Sequence, residues 1–384
     1  MKYQELLTKI NAYYQKIGIP QFPSAPIIHE GFPGNFNLSL TEYEFLQQQS
    51  GFLGLNKDMR YVKNQPCVRK NDLKYISNLQ EDSYRYLLRF TMASVGGIFW
   101  LKDSSKKDKM AHKVITNTIN FLVKECSLDI KKIYIEYLKP TTIFEMTEGK
   151  YNFDYDIPVD PNLRHYQKLD IPKENFIPAN NRNALLALNI YGRPTPWGYR
   201  NEIYYKYKGK LLDIATVEDL RYFPIFKKDA IVDLKHLDST LAIGAIGVER
   251  LLLILNNLEN INQLDIISEP AAILRPYLDP KDAAQLVQTL RAIQLIIADS
   301  GGYDSLSDKR KEKIREFYKF LDLKVNNVVP DEILIKVMKK IAETEPNLPQ
   351  LNQAVEQNLE EFKKYKLRIR FPYSWQKHLS EIKR

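Results

Sequence analysis

A chain of 384 residues, 44% hydrophobic and 27% charged, has an ordinary globular balance, room for two or three domains and the length to bury a sizeable core. Two cysteines, Cys67 and Cys126, exclude a disulfide framework or a cysteine zinc site, and the polar N-terminus and the lack of any run near ~20 apolar residues point to a cytoplasmic protein without membrane contact. The net charge of +9 favours a polyanionic partner, nucleic acid first, although solvated Lys-rich faces give the same balance.

Leu6, Leu7, Ile10, Tyr13, Tyr14 and Ile17 fall at helical spacing and predict an amphipathic helix over 2–17. Residues 20–36, rich in Pro and Gly, are expected to be extended or turn. A strand is predicted from Tyr61 to Arg69, ending in an Asn-Asp turn, and a second from Tyr84 to Trp100 with Gly96 and Gly97 near its end. Residues 108–126 follow helical spacing, and Ile133, Ile135 and Tyr137 alternate as a strand does. The polar, Asn-rich segment 140–185 reads as an insertion or long connection. Residues 199–226 alternate aromatic and polar side chains around Lys208-Gly209-Lys210, a hairpin pattern. Ala242 to Leu255 reads as a glycine-punctuated strand running into an apolar helix, and helices follow, with a cap at Ser307 and a break at Pro330. The expected fold is α+β, an antiparallel sheet flanked by helices over 1–255 and then a helical domain over 256–384. Residues 301–384 hold 18 Lys plus Arg against 13 Asp plus Glu, which suits phosphate docking as well as it suits helix faces with paired charges.

One string carries the chemistry. Asn64-Gln-Pro-Cys-Val-Arg-Lys-Asn-Asp-Leu73 ends a strand on an arginine, and an arginine held on a strand can grip a phosphate bidentately. The string resembles motif 2 of the alanyl-tRNA synthetases, class II enzymes, with their Gln, Cys-Val/Ile-Arg and Asn-Asp-Leu. Ser24-Ala-Pro-Ile-Ile-His29 ahead of it, Phe52-Leu-Gly54 and Ser94-Val-Gly96-Gly-Ile-Phe99 also resemble that family in order. Further on, Gly192, Pro196, Gly198 and Glu202-Ile-Tyr-Tyr resemble its Gly-Pro-rich stretch before Glu-Ile-Phe-Tyr. Leu212-Asp213-Ile214 resembles its Leu/Ile-Glu-Ile, and Gly247-Val-Glu-Arg-Leu251 its motif 3.

The resemblance implies a class II catalytic core that uses ATP and Mg²⁺ to activate an amino acid as its adenylate, with tRNA as acceptor. It makes Arg69 the α-phosphate arginine and Arg250 the triphosphate arginine, beside Gly247. Glu202 and Asp213 become the magnesium carboxylates, with a structural ion-pair role for either as the lesser alternative. Arg85 and Tyr86 fall in the ATP loop, where Tyr86 could stack on adenine or pack in the core. Arg291, eight residues before Asp299, together with Arg310 and Arg315, falls where the family docks the tRNA acceptor stem; buried salt bridges explain these residues nearly as well.

The amino-acid pocket departs from the family. Asn189 stands thirteen residues before Glu202, where the family has a tryptophan, and Thr216 replaces an asparagine. Ile243, next to Gly244 and six before Glu249, stands where the family has the aspartate for the substrate ammonium. An ammonium buried without a partner costs several kcal/mol, so alanine in the family's pose is not expected, and another amino acid or related carboxylic acid is. A length of 384 residues leaves no room for the family's editing and C-terminal domains. The resemblance is therefore to a divergent, truncated paralogue. Two other functions stay open: a tRNA-independent adenylating ligase with a small amine or carrier protein as acceptor, and a non-catalytic tRNA-binding paralogue.

Overall fold

The computed structural model describes residues 1–29, 36, 41, 43–45, 58–69, 72–73, 87–100, 105–149, 151, 153, 155–180, 184–187, 195–228, 230–325 and 328–370. Helix α1 (Tyr3–Lys16) buries Tyr3, Leu6, Leu7, Ile10 and Tyr14, one stripe at 3.6-residue spacing. Strands β1 (Met59–Val68) and β2 (Arg89–Phe99) pair antiparallel, Met59 opposite Ile98 and Val68 opposite Arg89. Pro66 inside β1 donates no hydrogen bond, and β1 tolerates it because it is the edge strand of the sheet. Helix α2 (Ser105–Asn120) continues into a single π turn over Phe121–Glu125, and β3 spans Ile133–Leu138.

The segment 140–185, expected to be an insertion or long connection, holds short elements of its own. Short strands β4 (Thr141–Thr142) and β5 (Asp156–Ile157) pair with each other. Strand β6 (Phe176–Ala179) lies parallel to β3 at the sheet's other edge, and β7 (Leu185–Ala187) pairs with β8. Four residues with a proline show no alternation, which hides β6 from a pattern reading; its edge position accepts Pro178.

Strands β8 (Trp197–Tyr207) and β9 (Lys210–Lys227) form the hairpin expected around Lys208-Gly209. Both turn residues have positive φ, 47° and 80°, the primed turn that matches strand twist. Strand β10 (Ala230–Gly247) folds back on β9 and also pairs with β2, giving the order β1-β2-β10-β9-β8-β3-β6. Helix α3 (Val248–Leu255) leaves β10 without a loop.

One face of the sheet packs on α1, α2 and α3, burying Ala93, Val95, Ile203, Val217, Ala242 and Ile246 with Leu6, Ile115 and Leu251. Helices α4 (Asp265–Leu274), α5 (Pro280–Ser300), α6 (Asp308–Val325), α7 (Asp331–Thr344) and α8 (Val355–Arg370) follow. The Asp279 side chain caps α5 at the Asp282 N–H (2.8 Å), and left-handed Gly301 (φ 72°) ends it. Every residue of α5 from Ala283 to Ile297 is buried, so it is the central helix of this part. A single apolar cluster runs through both parts, from Leu6 and Val95 to Leu290 and Phe362. The architecture is thus α+β, a mostly antiparallel sheet flanked by helices and followed by a helical part. Among the described residues no helix is long and apolar enough to cross a membrane.

Gly244 sets how closely α2 approaches the sheet. A Cβ there would stand 2.5 Å from Thr118 Oγ1, 3.1 Å from Val114 and 3.2 Å from Val95. Gly244→Ala is expected to lower the unfolding free energy by about 1–3 kcal/mol, the usual cost of overpacking, read as a lower urea midpoint at unchanged slope.

Candidate active site

Residues directly opposite each other in an antiparallel pair point to the same face. Arg200 of β8 lies opposite Glu218 of β9, and Glu202 opposite Thr216. The register then shifts: Ile203 pairs with Ala215, but Tyr204 pairs with Asp213. Ile214 is the extra residue of a bulge, and it turns Asp213 onto the face that carries Thr216 and Glu202. In an unbroken ladder Asp213 would point at the helices. On the neighbouring strand Ala245 lies opposite Thr216, and in β2 Met92 lies opposite Gly247.

A pocket of about 510 Å³, open mouth included, forms over this face. It gathers Arg69, Glu202, Asp213, Thr216, Gly247 and Arg250, residues the sequence spreads over 182 positions. Arg69 follows β1 directly. Its N–H donates to the Leu88 carbonyl (2.9 Å), and its guanidinium lies 4.7 Å above the Phe90 ring. Among the described residues Arg69 forms no ion pair. Arg250, in the first turn of α3, donates to the Asp213 carbonyl at 3.0 Å and pairs with the Asp213 carboxylate. A Cβ on Gly247 would meet only the Ile214 carbonyl, at 3.5 Å, so this stretch of wall is open backbone.

Arg200 is a site residue that the sequence reading missed. Its Nη2 lies 2.6 Å from Glu202, its Nε donates to Thr216 Oγ1 (3.3 Å), and the same Nε is 3.9 Å from Glu218. The signal was there, since Arg200 stands two positions before Glu202 on a strand and so on the same face. Burial pushes the Glu202 carboxyl up to about 7 against the pull of Arg200, and Asp213 and Glu136 push the same way. Asp72, Leu87, Phe90, Met92, Ala215 and Glu249 complete the lining.

Other expected site residues fall elsewhere. Ile243 shares the face but is fully buried among Phe45, Leu220 and Leu241, away from the pocket. Gly244, one residue on, faces α2 instead, because successive strand residues alternate. Asn189, Arg85 and Tyr86 lie outside the described residues.

The three arginines expected to dock tRNA sit in different settings. Arg291 is fully buried, with its guanidinium on Glu345 at 2.9 Å, because α5 is covered on all sides. Arg310 is also buried and donates to the His29 carbonyl (2.9 Å). Arg315 is exposed, its Nε donating to the Tyr303 hydroxyl (3.0 Å).

A polar network backs the site on the helix side of the sheet. Asn201 donates to the Asp160 carboxylate, the Asn162 N–H donates to it as well (2.8 Å), and the Asn162 side chain donates to Asp219 (3.0 Å). Arg221 ties Asp219 (2.8 Å) to Asp108 of α2 (2.6 Å).

No family model matches the chain, and no curated protein matches it. Among solved structures it is similar to a pyrrolysyl-tRNA synthetase of Desulfitobacterium hafniense at 12% identity and TM-score 0.34, over 68% of this chain and 72% of that one. A second structure from the same organism, PylSc, matches at 14% identity and TM-score 0.32, over 68% and 71%. A likeness of this degree says nothing about activity.

Burial raises Asp160 from its ordinary 3.8 to about 6, against the hydrogen bonds from Asn201 and Asn162. The folded chain therefore keeps a proton that the unfolded chain releases between those values, and this group's contribution to stability is lost as pH rises through about 6. Asp160→Asn removes that loss. In denaturant titrations from pH 4 to 7, stability relative to the parent should move in the variant's favour; a pH-independent difference would contradict the assignment.

Proposed function

We propose that the chain activates an amino acid or related carboxylic acid with ATP, forming an acyl-adenylate and pyrophosphate, and passes the acyl group to tRNA. The observation that carries this reading is Arg69, a guanidinium without an ion pair among the described residues, in one pocket with Arg250, Glu202 and Asp213. That combination of cations and hard oxygen donors is suited to a polyphosphate with its metal ion.

In the reaction a substrate carboxylate oxygen attacks the α-phosphorus of ATP, the bond from that phosphorus to the bridging oxygen breaks, and pyrophosphate leaves with the electron pair. Arg69 holds the α-phosphate and offsets the charge that gathers there. Arg250 holds the triphosphate tail, and open backbone at Gly247 lets it approach. Glu202 and Asp213 fit Mg²⁺, which is usually held by one or two carboxylates with phosphates supplying further oxygens. Among the described residues no group of three or more His, Cys, Asp or Glu could hold a metal ion. When bound, Mg²⁺ would draw charge from the leaving pyrophosphate. Residues 1–255 form the catalytic unit in this reading and 256–384 the helical one.

The burial of Arg291 and Arg310 favours a second reading of the acceptor alone, in which a small amine or a carrier protein replaces tRNA. Gel retardation with bulk tRNA separates the two.

ATP–pyrophosphate exchange with each of the twenty amino acids tests the first half-reaction. Exchange with at least one is expected. Arg69→Ala should cut it by about 10²–10³, the usual effect of removing one transition-state donor, at an unchanged circular dichroism spectrum. Arg69→Ala exchanging at the parent rate would remove Arg69 from the chemistry.

A further inference from the structure

A second charged group lies behind the pocket wall, and the phosphate chemistry above does not use it. We infer that Glu345 and Arg291, both from the helical part, are positioning residues for the pocket, acting on Arg69 through Leu88–Phe90 and on Arg250 through Glu249. This rests on the reading that the pocket takes ATP.

The wall is one strand thick. In β2, Phe90 and Met92 line the pocket, and the alternating residues Arg89 and Thr91 point to the other side. Arg89 Nη1 donates to the Arg291 carbonyl (2.9 Å), and Arg291 Nη1 returns a bond to the Arg89 carbonyl (3.3 Å), so the start of β2 is fastened to the middle of α5. Glu345, just past α7, accepts from Arg291 Nε (2.9 Å) and Nη2 (3.2 Å) and pairs with Arg89 as well. Glu249 closes the group. One of its oxygens accepts the Thr91 N–H (2.9 Å), and the other lies 3.9 Å from Arg291. None of the four charged residues is more than 1% exposed.

Both phosphate arginines hang from this group. The Arg69 N–H is bound to the Leu88 carbonyl and its guanidinium rests on Phe90, and these two residues flank Arg89. Glu249 is the residue before Arg250 and lines the pocket itself. The carboxylates Glu202 and Asp213 sit on β8 and β9 and have no bond to the group. Loosening the group therefore disturbs Arg69 and Arg250 first, reaches Asp213 only through its pair with Arg250, and leaves Arg200 with Glu202 in place. Shape alone, without this link, would tie Glu345 to stability and leave nucleotide binding untouched.

The test titrates ATP, with magnesium, into the full chain by calorimetry and records the melting temperature alongside. Glu345→Gln leaves an uncompensated buried positive charge and should melt lower. The double variant Arg89→Gln with Glu345→Gln keeps the group neutral and should recover most of the melting temperature. Both are expected to bind ATP at least about fivefold more weakly than the parent, the low end of a coupling between sites. A double variant that recovers its melting temperature and binds ATP like the parent overturns the inference, and it decides the matter alone if the single variant does not fold. A parent chain that binds no ATP overturns the reading of the pocket itself, and this inference with it.

Discussion

Four charges placed where water does not reach constrain the rest of the molecule. Moving an ion out of water costs several kcal/mol, and only close pairing with satisfied hydrogen bonds offsets it. Arg89, Arg291, Glu345 and Glu249 meet most of that condition together, two of each sign, with Arg89 Nε and Glu249 Oε1 left without a hydrogen bond among the described residues. Burial and the guanidinium of Arg291 pull Arg89 down to about 9, a measure of how unwelcoming the surroundings are. Because the four come from β2, α3, α5 and the end of α7, none of these elements can settle without the others. One apolar cluster also runs through the sheet part and the helical part alike.

The pocket inherits its stiffness from this arrangement and its chemistry from the opposite face of the same strands. At rest its charges are mostly paired, Arg200 with Glu202 and Arg250 with Asp213, and Arg69 lies over an aromatic ring. A ring face attracts a cation without neutralising it.

Periodicity made most of the frame legible. Apolar spacing carries α1, and alternation with a Gly turn carries the hairpin of β8 and β9. Strand β6 escaped because four residues with a proline hold no period. The convergence of Arg69, Glu202, Asp213 and Arg250 was legible only through a family resemblance, since each motif alone is common and their meeting depends on sheet order. Arg291 shows the limit of pattern reading. An arginine on a helix looks exposed until the helix proves to be central, and only the packing of α5 reveals it. The neighbours Ile243 and Gly244 make the same point for strands, where one step along the chain exchanges faces.

The bulge at Ile214 gives this site an unusual kind of inheritance. Most positions around a pocket drift by substitution, one side chain at a time. The facing of Asp213 depends on a count of residues between the turn and Thr216, and exchanging side chains in that interval leaves the count alone. Losing or gaining a single codon there rotates the acid through half a turn and buries it against the helices. Lineages descended from this chain are free to rewrite the letters of that segment, and they are held to its length.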